Sequence, residues 1–181
     1  GGVETVNGGI FVDRGGSGAH VAEPRRAGRP LDRCLASVLR DGSRGVDART
    51  RSLTACATML LDCATRAPAA AAACRASAAA ACSARLARPI LATDGLRRSC
   101  GEPGVKLADL TGAAGGGVAA LADACAEVGI GSLGSLDAWL TCLDRRLACE
   151  AADAAASRVP RAAAWFAEAG LAFRPLHCPP L

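Results

Sequence analysis

Leu53, Cys56, Leu60 and Cys63 recur at intervals of three and four residues, which places them on one face of a helix. Further on, Cys74 and Cys82 lie eight residues apart and fall within a second helical stripe with Leu86. Between the two stripes stands Ala67-Pro68. A residue before proline avoids helical backbone angles, and proline suits the first turn of a helix, so one helix ends here and another begins. Folding the chain back at this point sets Cys63 opposite Cys74 and Cys56 opposite Cys82. The result is a helical hairpin closed by two disulfides. Four cysteines allow three connectivities, and this one needs the least strain.

The same periodicity orders the rest of the chain. A first helix is predicted from Pro30 to Arg40, turning Leu31, Cys34, Leu35 and Val38 inward, with a break over Asp41–Gly45. The second helix runs from Asp47 to Thr65 and the third over about 69–92. Asp94-Gly95 and Cys100-Gly101-Glu102-Pro103-Gly104 predict turns, and a short helix follows at Lys106–Leu110. After a Gly112–Gly117 loop, a fourth helix spans Val118–Val128 with Leu121 and Cys125 inward. Ser135 is a good N-cap, with Asp137 in the first turn. The fifth helix that it opens reaches Ala156. It carries Leu136, Leu140, Leu143 and Leu147 on one stripe and Trp139, Cys142 and Cys149 on the next. A sixth, Pro160 to Gly170, buries Ala163, Trp165 and Phe166. The tail Leu171–Leu181 holds three prolines and Cys178, an ordered strap held by a bridge. The expected fold is an all-α, disulfide-stapled bundle of about six helices.

Residues 1–30 differ: rich in glycine, free of cysteine and without helical periodicity. An Asn7-Gly8 turn between two short β-type runs predicts a hairpin whose Val3, Val6, Ile10, Phe11 and Val12 are candidate partner-binding residues. A lone hairpin is marginal in water, so it would lie on the helical body or on a protein partner. Three segments follow from this reading: an arm and linker at 1–30, a cysteine-stapled helical unit at 31–97, and a second at 98–181 with the C-terminal strap.

The two units echo each other. Cys142-x6-Cys149 repeats the spacing of Cys56-x6-Cys63, Leu140-Thr141-Cys142 stands beside Leu53-Thr54-Ala55-Cys56, and each is preceded by an upstream cysteine, Cys125 and Cys34. In these residues, and in Cys100-Gly101, Leu107-Ala108-Asp109-Leu110, Gly129, Leu133, Leu136 and Pro160-Arg161-Ala162, the chain resembles a group of largely uncharacterised cysteine-rich α-helical proteins exported by bacteria. The resemblance covers roughly residues 31–170. It implies a helical, disulfide-bonded, exported protein and carries no activity with it.

Composition explains why the cysteines matter. Aromatic residues make up 3% of the chain and alanine dominates, so the helices propagate well but bury little apolar area per residue. Ordering each residue costs roughly 1–2 kcal/mol, and bridges closing loops of ten to thirty residues can each contribute about 3 kcal/mol towards it. Ten cysteines, an even number, point to an oxidising compartment, periplasmic or extracellular. The chain opens Gly1-Gly2-Val3-Glu4, so the expectation is a signal peptide already removed. The longest apolar tract, Ala67–Ala81, is mostly alanine and interrupted by Arg75, too weak for a membrane span. Cys63–Cys74 and Cys56–Cys82 are the leading pairings. Cys125–Cys142 follows because the Gly129–Gly134 connection brings two helices together, and Cys34, Cys100, Cys149 and Cys178 stay open.

Candidate chemistry is sparse. Gly129-x-Gly131-x-x-Gly134 satisfies the dinucleotide fingerprint, but the segment before it reads as helix and no βαβ unit surrounds it. The cysteines lack Cys-x2-Cys, haem-attachment and iron–sulfur spacings, and neither His20 nor His177 stands at zinc-finger spacing. His177-Cys178 sits among prolines in the strap, where a bridged cysteine cannot attack. Asp144 and Glu150, among Arg145 and Arg146, read as a solvated face. Arg25, Arg26, Arg29 and Arg33 form a basic cluster for an acidic partner or lipid head groups, without the aromatic interleaving that nucleic acid would need. The expectation is a non-enzyme without metal or cofactor. It would be an exported scaffold acting as a structural or interaction subunit of a larger assembly, as an oligomer or hetero-assembly. The alternative is a carrier of a small apolar ligand or lipid, with its cavity between the two units. Plant lipid-transfer folds are similar in outline, but their adjacent Cys-Cys and Cys-x-Cys elements are missing here.

Overall fold

One helix, α1, runs unbroken over Gly28–Ala64 in a computed structural model that describes residues 28–101, 103–112 and 118–173. At 37 residues it is about 55 Å long. It passes straight through Asp41–Gly45, where the sequence predicts a break. Each glycine in a helix interior costs about 1 kcal/mol against alanine, and packing offsets that cost here. A Cβ at Gly42 would stand 3.3 Å from Leu147 Cδ1, and one at Gly45 would stand 2.5 Å from the Ile90 carbonyl oxygen and collide with Ile90 Cγ2. The glycines are notches that let neighbours approach the helix.

The second helix, α2, spans Pro68–Leu86, with the extended backbone of Ala67 before it and proline in its first turn, as the sequence predicts. It stops six residues earlier than expected. Pro89 disfavours helix at the residue before it, and the Arg49 side chain binds the carbonyls that the helix end leaves over. Where turns are expected at Asp94-Gly95, a two-turn helix, α3, covers Thr93–Cys100. Leu96 and Cys100, one turn apart, are its buried face. Arg97 on its outer face bonds Asp94 within the helix and Asp137 across from it, and these contacts hold its guanidinium pKa above the usual arginine value.

Three of the remaining four helices sit close to where they are predicted: α4 Leu107–Thr111, α5 Val118–Glu127 and α6 Leu136–Arg158. Ser135 caps α6 by accepting the Ala138 N–H at 3.1 Å. The last, α7, is Ala162–Glu168, and it buries Ala162 where the periodicity favours Ala163, which is half-exposed. That makes seven helices and no strand among the described residues, against about six helices expected. The predicted N-terminal β-hairpin at residues 3–12 lies outside them. No helix among the described residues is long and apolar enough to cross a membrane.

Helix α1 is the spine and touches α2, α3, α6 and α7. The core falls into two clusters strung along it. One gathers Leu31, Cys34 and Val38 of α1, Leu96 and Cys100 of α3, and Trp139, Leu140 and Leu143 of α6. The other gathers Leu53, Cys56, Leu60 and Cys63 of α1, Cys82 of α2, Ala151, Ala152 and Ala155 of α6, and Phe166 of α7. Both clusters therefore take residues from either side of residue 97.

Candidate functional site

The α1–α2 hairpin closes as its cysteine spacing predicts. Cys63 pairs with Cys74 and Cys56 with Cys82, at Cα–Cα distances of 5.5 and 5.7 Å. The two rungs differ in surroundings. Cys56 and Cys82 are sealed in the core, whereas Cys63–Cys74 lies in the wall of an open groove of about 520 Å³. Met59, Asp62 and Arg66 border this groove from the α1 side, and Ala70, Ala73 and Ser77 from α2. The stretch from Cys63 to Thr93 carries four arginines and no acidic residue, equal to the formal net charge of +4 of the whole chain. The hairpin is thus a basic element whose α2 presents mostly alanine to solvent.

A second polar cluster fixes the connection between α2 and α3. Arg49 of α1 donates through Nη1 to the Leu86 carbonyl at 2.6 Å and through Nη2 to the Arg88 carbonyl. From α6, Asp144 accepts the backbone N–H groups of Ile90 and Leu91 on one oxygen, at 2.7 and 2.8 Å. Burial lowers the Arg49 pKa, and the nearby Asp144 charge offsets part of that. Asp144 is therefore no member of a solvated face: it is half-buried and anchors the turn into α3. Thr50, one position on from Arg49, donates its hydroxyl to the Ala151 carbonyl at 3.3 Å and joins α1 to α6. Glu150 also departs from the solvated reading. Burial raises its pKa, Arg146 draws it back in part, and Asp153 adds to the rise.

Beyond the hairpin, Cys125 pairs with Cys142 at a Cα–Cα distance of 5.3 Å, the third of the expected bridges. The structure also assigns a pair the spacing leaves open: Cys34 with Cys100, at 4.8 Å. Cys149 is disulfide-bonded as well, and Cys178 lies outside the described residues. Four bridges within one chain are the framework of an oxidising, extracytoplasmic environment.

Gly129 shows what the dinucleotide-like glycines do. It adopts φ +81°, its N–H bonds the Ala126 carbonyl, and the Ile130 N–H bonds the Cys125 carbonyl. This is a glycine-terminated helix end, with Arg145 donating to the adjacent Val128 carbonyl at 2.7 Å. The run follows a helix, α5, so it lacks the strand that a dinucleotide turn requires. Among the described residues no group of three or more His, Cys, Asp or Glu is placed to hold a metal ion. The candidate arm residues Val3, Val6, Ile10, Phe11 and Val12 lie outside the described residues, together with Arg25, Arg26, His20 and His177.

Comparison of the chain with protein-family models, curated proteins and solved structures finds no match, so function rests on the residues themselves.

Proposed function

We propose that this chain is a non-catalytic, exported scaffold, a structural or interaction subunit of a larger assembly in the periplasm or outside the cell. The observation that carries this reading is how the half-buried charged side chains are used. Arg49 and Asp144, both half-buried, spend their polar atoms on backbone groups of one interhelical connection. With the bridges, they hold the helices in fixed register, which suits a part that presents surfaces. The glycine-rich N-terminal segment is the proposed contact, through Val3, Val6, Ile10, Phe11 and Val12. The test is light scattering on the protein isolated with its extracytoplasmic neighbours, full-length and lacking residues 1–30. The reading expects the full chain in a species heavier than a monomer and the shortened chain as a monomer. Monomers in both preparations would remove it.

The groove on the hairpin supports a second reading, a carrier of a small apolar ligand. It lies between α1 and α2 within the first cysteine-stapled unit. Native mass spectrometry of freshly purified protein should then show a bound lipid-sized mass, and a clean apo-mass would exclude the carrier.

A further inference from the structure

Three of the described bridges are closed to solvent: every sulfur-bearing residue of Cys34–Cys100, Cys56–Cys82 and Cys125–Cys142 is at most 1% exposed. The fourth is different. Cys63 is 2% exposed, but Cys74 is only partly buried, and both line the open groove at the end of the hairpin. We propose that Cys63–Cys74 is a thiol-exchange site, at which a low-molecular-weight thiol attacks Cys74 Sγ while the three sealed bridges stay closed.

Thiol–disulfide exchange depends on access of the attacking thiolate to one sulfur and on how well the departing thiolate is stabilised. The groove supplies the access, and its volume of about 520 Å³ admits a molecule the size of a small thiol. Arg66 and Asp62 are the charged residues on its border. Arg66 follows Cys63 by three residues, and its backbone N–H bonds the Cys63 carbonyl at 3.3 Å. As a cation on the border, Arg66 draws in the incoming thiolate, and the greater exposure of Cys74 makes its sulfur the one attacked, with Cys63 as the leaving group.

The step balances as follows. The thiolate RS⁻ bonds to Cys74 Sγ as the Cys63–Cys74 bond breaks, and Cys63 departs as a thiolate that takes a proton from water. With a dithiol, the second thiolate attacks the external sulfur of the mixed disulfide and releases Cys74. The dithiol leaves oxidised, having given two electrons. Reduction then loosens only the tip around Thr65–Ala67, because Cys56–Cys82, two helical turns deeper, still joins the helices.

The oxidised full-length protein is treated under native conditions with dithiothreitol, sampled over time, alkylated and mapped. Cys63 and Cys74 are expected to become labelled at least about tenfold faster than the six cysteines of the sealed pairs, with the helical circular dichroism retained. With glutathione, the mixed disulfide is expected on Cys74 and the alkylated thiol at Cys63. Arg66→Glu, at an exposed position, should slow the reaction at least about threefold. Labelling of any sealed pair as fast as Cys63–Cys74 overturns the proposal. An adduct mainly on Cys63 overturns the direction of attack, and an unchanged rate in Arg66→Glu removes Arg66 from the site.

Discussion

The two ends of α1 are packed by different means. Towards its N-terminus the partners are leucine-rich: Leu96, Leu140 and Leu143, with Trp139 and one bridge, Cys34–Cys100. Towards its C-terminus, α6 offers Ala151, Ala152 and Ala155, α2 offers Ala78, and two bridges stand between the helices. Large side chains stabilise through the apolar area they remove from water, whereas alanine faces contribute little area and let backbones approach. The alanine end compensates with covalent rungs and with the Phe166 ring, which meets Phe173 at a centroid distance of 4.8 Å. One helix therefore sits in two kinds of core. The leucine end should suffer from lost volume and the alanine end from added volume.

Bridge removal is the strongest way to test that contrast. Chain-entropy arithmetic for a separation of 66 residues gives Cys34→Ala/Cys100→Ala a loss of about 4 kcal/mol, against about 3.5 kcal/mol for Cys56→Ala/Cys82→Ala with its separation of 26. Denaturant melts of both double variants check the order. A larger loss from Cys56–Cys82 would mean that the alanine end leans on its rungs beyond their loop entropy.

Volume changes come next. Leu140→Ala at the leucine end should cost about 2–5 kcal/mol through the cavity it leaves. At the other end, Ala151→Leu should cost about 1–3 kcal/mol by overpacking a position that is fully buried. Equal tolerance of Ala151→Leu and a leucine-to-methionine change at residue 140 would erase the distinction.

Between the two ends lie the notches, and three helical glycines should respond differently. Gly45→Ala should destabilise by about 1–3 kcal/mol, because the new Cβ meets backbone at the Ile90 carbonyl. Gly42→Ala should be near neutral, since the flexible tip of Leu147 can yield and helix propensity is gained. Gly95→Ala in α3, with nothing within 4 Å, should stabilise by about 0.5–1 kcal/mol. Thermal melts of the three rank them, and a stabilising Gly45→Ala would show that α1 is not held by close approach there.

The smallest expected effect is electrostatic. The Glu150 carboxyl holds its proton more tightly folded than unfolded, so its contribution to stability is full in acid and is lost as pH rises through the raised folded value. Glu150→Gln should therefore raise the melting temperature at neutral pH by about 1 °C and leave it unchanged below the ordinary glutamate range. The side chain is only partly buried, which keeps the effect small.

Much of this was legible in the order of residues, and the misses share a cause. The hairpin and its rungs follow from spacing alone, because Pro68 fixes the fold-back point and two pairs of cysteines then have one low-strain match. The continuity of α1 was also written in the chain: Gly42, Gly45, Arg49 and Leu53 continue the stripe that carries Cys56. Glycine's low propensity spoke for a break, and the tertiary contacts with Leu147 and Ile90 overrode it. Asp144 was misread for a related reason. It lies a turn from Leu140 on the flank of the leucine stripe, and only the fold shows two backbone N–H groups waiting there. Ala151, Ala152 and Ala155 carried no signal, since alanine serves equally on either face of a helix. Cys34–Cys100 joins residues whose approach depends on α3, a helix the glycine at 95 concealed.

The bridges from Cys34 to Cys100 are nested, one enclosing the next. As the polypeptide emerges from its N-terminus, Cys34 is followed by four other thiols before its mate arrives. If closure proceeds from the innermost loop outward, the short Cys63–Cys74 ring and then Cys56–Cys82 consume all four competitors. Cys34 is left with a single upstream-to-downstream choice at the moment Cys100 appears, so the layout itself guards against scrambling during oxidative maturation.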